Sequence, residues 1–353
     1  MKTRLALYLL FVVVILSNIS FATNFNSCTT FALSDTYDLT SNITVNGSSC
    51  LTVAIATPTA PTVIDCHGYT IRGNYTNGTN GITYTLSNNV TLQNCIFKDF
   101  GTNLVTTDGD NLLFQNNTFD NSSFTNIQLC TSTMCNNLTF TNNTVSNGFN
   151  NGIELYGANN SAFNNNSCFL HEHGHGTDRC FHLDKNIYNS QFNYNYLYNN
   201  TLGFRLNNVN FSNVTIQYNQ ILNTTSQGLN MQATSGTFEN IDFSYNSLTG
   251  AANSIGFDAT IPAASTKQSD CGQITMIGNN VTGGQLIYLN ALNSSGSFSS
   301  ITVGGMLMCD ADNVVLNNIT LIGGGDGRNA IELMHVNNLT LDGLNATNIY
   351  VAI

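Results

Sequence analysis

Along most of the chain, apolar and polar residues alternate in short runs, and the runs themselves recur. A small–apolar–x–apolar element appears as GITY (81–84), TNLV (102–105), NIQL (126–129), GIEL (152–155), CFHL (180–183), GFRL (203–206), GLNM (228–231), LIYL (286–289), MLMC (306–309) and AIEL (330–333), with SIGF (254–257) a poorer copy. A second element follows with an Asn-rich pair inside it: VTLQNCIF (90–97), LLFQNNTF (112–119), LTFTNNTV (138–145), VTIQYNQI (214–221) and IDFSYNSL (241–248). Period-2 alternation predicts strands with one face buried. The Asn and Gly between them accept the left-handed backbone that a tight corner demands.

Copies of the first element follow one another at roughly 20–28 residues, the length of one solenoid coil. Three short strands per coil, stacked about 4.8 Å apart, predict an all-β, right-handed parallel β-helix. The LxxLxLxxN pattern and helical half of a leucine-rich repeat are absent, and a propeller blade needs roughly forty residues.

Composition agrees. The 353 residues include no tryptophan, three prolines and only 8% charged residues, so the strong helix formers are scarce. The 42% hydrophobic content argues for an ordered chain. The first 22 residues read as a signal peptide: Lys2 and Arg4, an apolar run from Leu5 to Leu16, and Ser20-Phe21-Ala22 as a cleavage site. Residues 23–60 read as an N-terminal cap covering the edge of the solenoid, and 61–353 as the β-helix. The last six residues read as an uncapped strand, expected to mark a truncation or an edge that meets a protein partner. No later stretch is apolar enough to span a membrane.

Removing the leader leaves seven basic against twenty acidic residues, a net charge near −13. Such a surface repels nucleic acid and anionic polymers unless a cation bridges them, so no nucleic-acid partner is expected. Ten cysteines in an exported chain indicate an oxidising compartment: secreted, extracellular, at the cell surface or periplasmic. Cys28–Cys50, Cys130–Cys135 and Cys168–Cys180 are the pairs close in sequence. Zinc ligation is the rival use of these cysteines, but no CxxC spacing occurs. Twenty Asn-x-Ser/Thr sequons follow the leader, so a glycoprotein is expected from a host with the machinery.

The stretch TVIDCHGYTIRG (62–73), followed by repeated NNxTLxNN units, resembles the exported right-handed β-helix repeat proteins: surface proteins, the NosD-like periplasmic group and the wider pectate-lyase-like superfamily. The resemblance implies the fold and, for many members, action on polysaccharides. The NosD-like group is linked to copper delivery, but no metal-ligand motif is matched. Gly174-His175-Gly176 resembles a polygalacturonase motif, with Arg205 in the place of a downstream arginine. The paired aspartates of that family are missing, which speaks against its activity.

Aligning the first elements stacks Gln128, Glu154, His182, Arg205 and Asn230 as a ladder on one exposed face, with Tyr156, Asp184, Asn207 and Gln232 as a parallel row. Glu154, His182, Arg205 and Asp184 are the candidate catalytic residues, and Gln128, Tyr156, Asn207 and Asn230 the candidate carbohydrate contacts. Glu154 and Asp184 fall diagonally about 8 Å apart, within the inverting-glycosidase window. The bland reading is lateral pairing of opposite charges along a sheet.

HEHGHGTDRC (171–180) is chemically unlike the rest. A Cys168–Cys180 bridge would close it, and His171, His175 and Asp178 with His182 could hold zinc or copper. Asp310, Asp312 and Asp326 match no calcium loop pattern, so calcium is the weaker expectation. His67 and His335 read as turn or surface residues. Alternation turns half of the aromatic run 192–198 inward, so it reads as core stacking. The sequence favours a glycan-binding or structural protein of the cell exterior. The alternatives are a polysaccharide lyase, glycoside hydrolase or epimerase working at the ladder, and a periplasmic metal-binding protein.

Overall fold

The computed structural model describes residues 22–347 other than 56–59, 86, 170–177, 208–209, 233–237, 250–252, 257–273, 282–283, 290–296, 310, 323–330 and 335. Residues 1–21 of the expected leader and the six C-terminal residues lie outside the described residues. The described chain is a right-handed parallel β-helix, wound from short strands into three long sheets. One coil runs Val90–Gln93 in the first sheet, Ile96–Lys98 in the second and Thr102–Thr106 in the third, and the next coil repeats the order directly above it. Residues 23–55, expected as a cap, add their strands to the same sheets: Thr36–Leu39 pairs with Thr62–Asp65, and Leu51–Val53 with Asn80–Tyr84. Toward the C-terminus, Gly284–Leu289 meets Asn280–Val281 antiparallel and then begins a further stack on a second apolar core. No helix among the described residues is long and apolar enough to cross a membrane.

The corners explain why this sequence turns where it does. Non-glycine residues with positive φ recur at all three corners, and most are asparagine: Asn111, Asn137 and Asn160 at one, Asn116, Asn142 and Asn165 at the next, Asn121, Asn147 and Asn199 at the third. Asparagine tolerates this conformation because its short polar side chain bonds locally. After the Asn116-type corner residue comes a second Asn that turns inward. Asn117, Asn143, Asn166, Asn195, Asn219, Asn246 and Asn279 are buried and form one internal ladder. The Asn143 backbone N–H donates to Asn166 Oδ1 at 2.9 Å, and Asn143 Nδ2 donates to the Phe114 carbonyl at 2.9 Å. The same pattern also explains much of the sequon excess: a left-handed Asn, an inward residue and an outward Thr are what the corner requires, as in Asn137-Leu138-Thr139.

Phenylalanines fill the interior. Phe163 stacks on Phe192 at 4.8 Å and Phe181 on Phe204 at 4.9 Å. Along the corner ladder coils range from 22 residues (Cys95 to Asn117) to 33 (Asn246 to Asn279), and in the C-terminal stack they shorten to 18 (Thr302 to Thr320), wider than the sequence period suggests, because length varies in the connections and leaves the inward positions in register.

Three cystines join the expected pairs, Cys28–Cys50, Cys130–Cys135 and Cys168–Cys180. A fourth, Cys66–Cys95, joins neighbouring coils at the corner where the asparagine ladder begins. Cys95 occupies the first rung: its N–H donates to Asn117 Oδ1 at 3.0 Å. Cys309 is also disulfide-bonded, and no cysteine among the described residues is free.

The aromatic run departs from its expected role. Phe192 and Leu197 point inward, but Tyr194 takes a left-handed corner and is 57% exposed. It stacks outside the core on Tyr218, which stacks on Tyr245, at 5.0 and 5.2 Å. Gly278 closes the last ring, since a Cβ there would lie 2.6 Å from Tyr245. With their faces covered by one another, these rings offer edges rather than a stacking platform.

Candidate functional site

The third sheet carries the site. Its strands Ile127–Leu129, Asn151–Leu155, Arg179–Leu183, Leu202–Asn207 and Gln227–Gln232 stack in register. Register places Gln128 beside Glu154, Glu154 beside His182, His182 beside Arg205 and Arg205 beside Asn230. The small residue opening each element is a packing requirement: a Cβ on Gly203 would lie 2.5 Å from the Gly228 carbonyl.

The ladder is recessed, against the expectation of an exposed face. Glu154 is 9%, His182 7% and Asn230 4% exposed, while Gln128 and Arg205 are half-buried. Burying charges is costly unless they are paired and hydrogen-bonded, and here they are. Gln128 Nε2 donates to Glu154 Oε2 at 3.0 Å, and His182 Nδ1 lies 3.3 Å from Glu154 Oε1. The Tyr156 side chain acts on Glu154 as well, helping to hold its carboxyl low. Asn207 Nδ2 donates to Asp184 Oδ1 at 2.9 Å.

Two groups outside the expected set belong to this neighbourhood. Arg179 reaches to 3.5 Å from His182 Nδ1. Lys185 sits over the Tyr156 ring, 5.4 Å from its centroid. Arg179 precedes Cys180, the small residue at which the repeat element begins, so reading the element alone passed it by.

His182 Nδ1 stands between the Glu154 carboxylate, an acceptor at 3.3 Å, and the Arg179 guanidinium, a donor at 3.5 Å. Nε2 is buried and makes no hydrogen bond among the described residues; Asp184 Oδ1 lies 3.7 Å away. The imidazole thus stands between the two carboxylates. An inverting glycosidase leaves that gap for water, and here the ring occupies it.

Electrostatics follow. Burial alone would raise the Glu154 carboxyl, but hydrogen bonds from His182, Gln128 and Tyr156, with the His182 charge, hold it below the ordinary glutamate value. Burial, then the Glu154 charge and hydrogen bond, push the Tyr156 phenol up to about 12. Burial and the Arg205 charge bring Arg179 down to about 10, against the opposing pull of Glu154, Asp184 and Asp178.

His171 and His175 of the expected metal set lie outside the described residues. Asp178 is buried at the foot of the Arg179 strand. No group of three His, Cys, Asp or Glu among the described residues is arranged to hold a metal. Of the expected calcium carboxylates, Asp310 and Asp326 lie outside the described residues, and Asp312 accepts from Asn337 at 3.0 Å. His67 pairs with Asp38 at 3.1 Å on the surface, and His335 lies outside the described residues.

A family model described as "Right handed beta helix region" matches residues 41–186 and 80–246. None of the curated proteins matches the chain. Among solved structures, a DFA-IIIase from Arthrobacter chlorophenolicus without its lid is similar at 12% identity, covering 90% of this chain and 85% of that one, with TM-score 0.53. The mannuronan C-5 epimerase A-module from Azotobacter vinelandii is similar at 12% identity over 90% of each chain, TM-score 0.43. A tailspike protein of an E. coli bacteriophage, in complex with a pentasaccharide, is similar at 10% identity over 93% of this chain and 69% of that one, TM-score 0.38. The first of these likenesses shows the fold.

Proposed function

The chain belongs to the right-handed β-helix family, and we propose that it is an exported protein that binds an acidic glycan in the recessed ladder of its third sheet. One observation carries this reading. Of the five lysines and arginines among the described residues, Arg72 and Lys98 pair with Asp99 and Asp120 on the second sheet, Arg179 and Arg205 gather at the ladder, and Lys185 stands beside it over the Tyr156 ring. In a molecule this acidic, a local cluster of cations beside hydrogen-bonding side chains is a place to receive a carboxylate. Arginine meets one through its planar fork of donors. Gln128, Tyr156, Asn207 and Asn230 supply polar contacts for sugar hydroxyls. The disulfide bonds agree with an oxidising, exterior location. The test is calorimetric binding of oligouronides, their methyl esters and neutral oligosaccharides. Arg205→Ala should weaken acidic ligands by about tenfold or more, the worth of about 1.4 kcal/mol. Equal binding of acids and neutral sugars would overturn the reading.

A second reading is β-elimination on a uronate, supported by His182 Nε2 and the Tyr156 phenol. In the tautomer that turns Nδ1–H to Glu154, Nε2 carries the lone pair that a general base needs. Asp184, 3.7 Å from it, has a side chain 31% exposed, so the route to the imidazole runs along Asp184. Nε2 would take the C5 proton, the electron pair would form the C4=C5 bond, and the C4–O bond would break with Tyr156 protonating the leaving oxygen. Appearance of unsaturated ends with wild type but not His182→Ala tests it; no unsaturated product from any polyuronate that binds contradicts it.

A further inference from the structure

We propose that the cleft beneath the Cys130–Cys135 loop is a second subsite of the ladder, taking the acidic sugar unit next to the one the ladder holds, with Lys185 meeting its carboxylate. This rests on the glycan reading above and extends it to a part of the surface the ladder does not include.

The cleft has a volume of about 130 Å³ and is lined by Cys130, Ser132, Thr133, Met134, Tyr156 and Lys185, among others. Tyr156 joins the two sites. Its phenol acts electrostatically on Glu154 in the ladder, while its ring lies under the Lys185 ammonium and forms part of the cleft. Among the described residues Lys185 makes no hydrogen bond and no ion pair. Its neighbour Asp184 accepts from Asn207 instead. An ammonium held over an aromatic face, beside hydroxyl donors and with no carboxylate partner, is a site for an incoming anion.

The opposite wall is pre-formed. The disulfide closes the short loop, and the Thr131 and Ser132 backbone N–H groups donate to Thr106 and Thr107 of the preceding coil at 3.0 and 2.8 Å. Ser132 and Thr133 are exposed and present hydroxyls. A pocket for a complete drug-sized ligand runs to roughly 300–1,000 Å³, so this cleft suits a single sugar unit rather than an oligosaccharide. On the far side of Thr133 and Met134 a larger cleft of about 290 Å³ is lined by Asp108 and Asp110, which repel an anion. The acidic unit is therefore directed to the Lys185 side.

The experiment titrates a trimeric uronate, its methyl ester and the corresponding monosaccharide into wild type and Lys185→Met, a change that keeps the apolar stem over Tyr156. Lys185→Met should lose about fivefold or more in affinity for the acidic trimer, a loss of about 1 kcal/mol, with the ester and the monosaccharide unchanged. Unchanged binding of the acidic trimer would overturn the subsite. So would an equal loss for acid and ester, which would make Lys185 a packing residue only. If wild type binds none of these sugars, the glycan reading itself fails and the subsite with it; if wild type binds but the variant does not differ, the subsite alone fails.

Discussion

Glu154 is the residue on which the site's electrostatics turn. Buried, bonded by Gln128 and faced by His182, its folded carboxyl titrates below its ordinary value of 4.5. A carboxyl depressed on folding contributes stability above its unfolded pKa and loses it as pH falls through the folded value. Wild type should therefore lose urea stability below about pH 4.5 more steeply than Glu154→Gln. At neutral pH the same variant should be less stable by about 1–3 kcal/mol, because it leaves His182 without its charged partner. Parallel loss in both proteins on acidification would show that Glu154 carries none of the effect. The ladder itself was legible because strand alternation and the recurrent small residue fix which side chains stack. Its burial was not, since period-2 reading gives the face of a strand but not how deeply neighbouring turns enclose that face. Arg179 and Lys185 escaped because each lies just outside the repeated element: Arg179 reaches His182 from the start of its own strand, and Lys185 meets Tyr156 of the preceding coil.

At the scale of the element, the corner ladder is where polar residues do the work usually assigned to an apolar core. Asn166 accepts the Asn143 N–H and donates to the Phe140 carbonyl. Asn166→Ala leaves the Asn143 N–H buried without its acceptor and takes a second donor from the Phe140 carbonyl, at about 1–3 kcal/mol in all, so its urea midpoint should fall sharply. Its exposed neighbour Asn165 occupies a left-handed corner, and Asn165→Ala should cost only about 1–2 kcal/mol of backbone strain, with Asn165→Gly close to neutral. Equal effects at 165 and 166 would contradict the ladder's role. Cys95 stands at the head of the same ladder, which makes a sharper comparison possible. Replacing Cys66 and Cys95 by alanine should cost about 2–4 kcal/mol, and pairing Cys66→Ala with Cys95→Asn should recover part of it by adding a rung. The Cys66–Cys95 bridge was missed because pairs were sought among neighbours in sequence, whereas stacking brings together residues 29 apart. The tyrosine stack was also invisible to alternation, which assumes extended backbone and fails at a left-handed corner such as Tyr194.

For the molecule as a whole, the repeat specified the fold and said little about use. Stacking coils bury a continuous interior and expose long faces, and most of those faces here carry matched asparagine, glutamine or acid–base pairs. One region differs: a recessed set of carboxylates, an oriented imidazole and three cations in an otherwise acidic protein. Binding there should weaken as salt is raised, since cations and ligand carboxylates meet near a solvated rim. The most direct test of the account is calorimetric titration of an oligouronide series into wild type and Arg205→Ala at low and moderate salt. The account predicts saturable binding that favours the acid over its methyl ester, declines with salt, and drops by about tenfold or more in the variant. Binding that ignores ester formation and is unchanged by Arg205→Ala would contradict it.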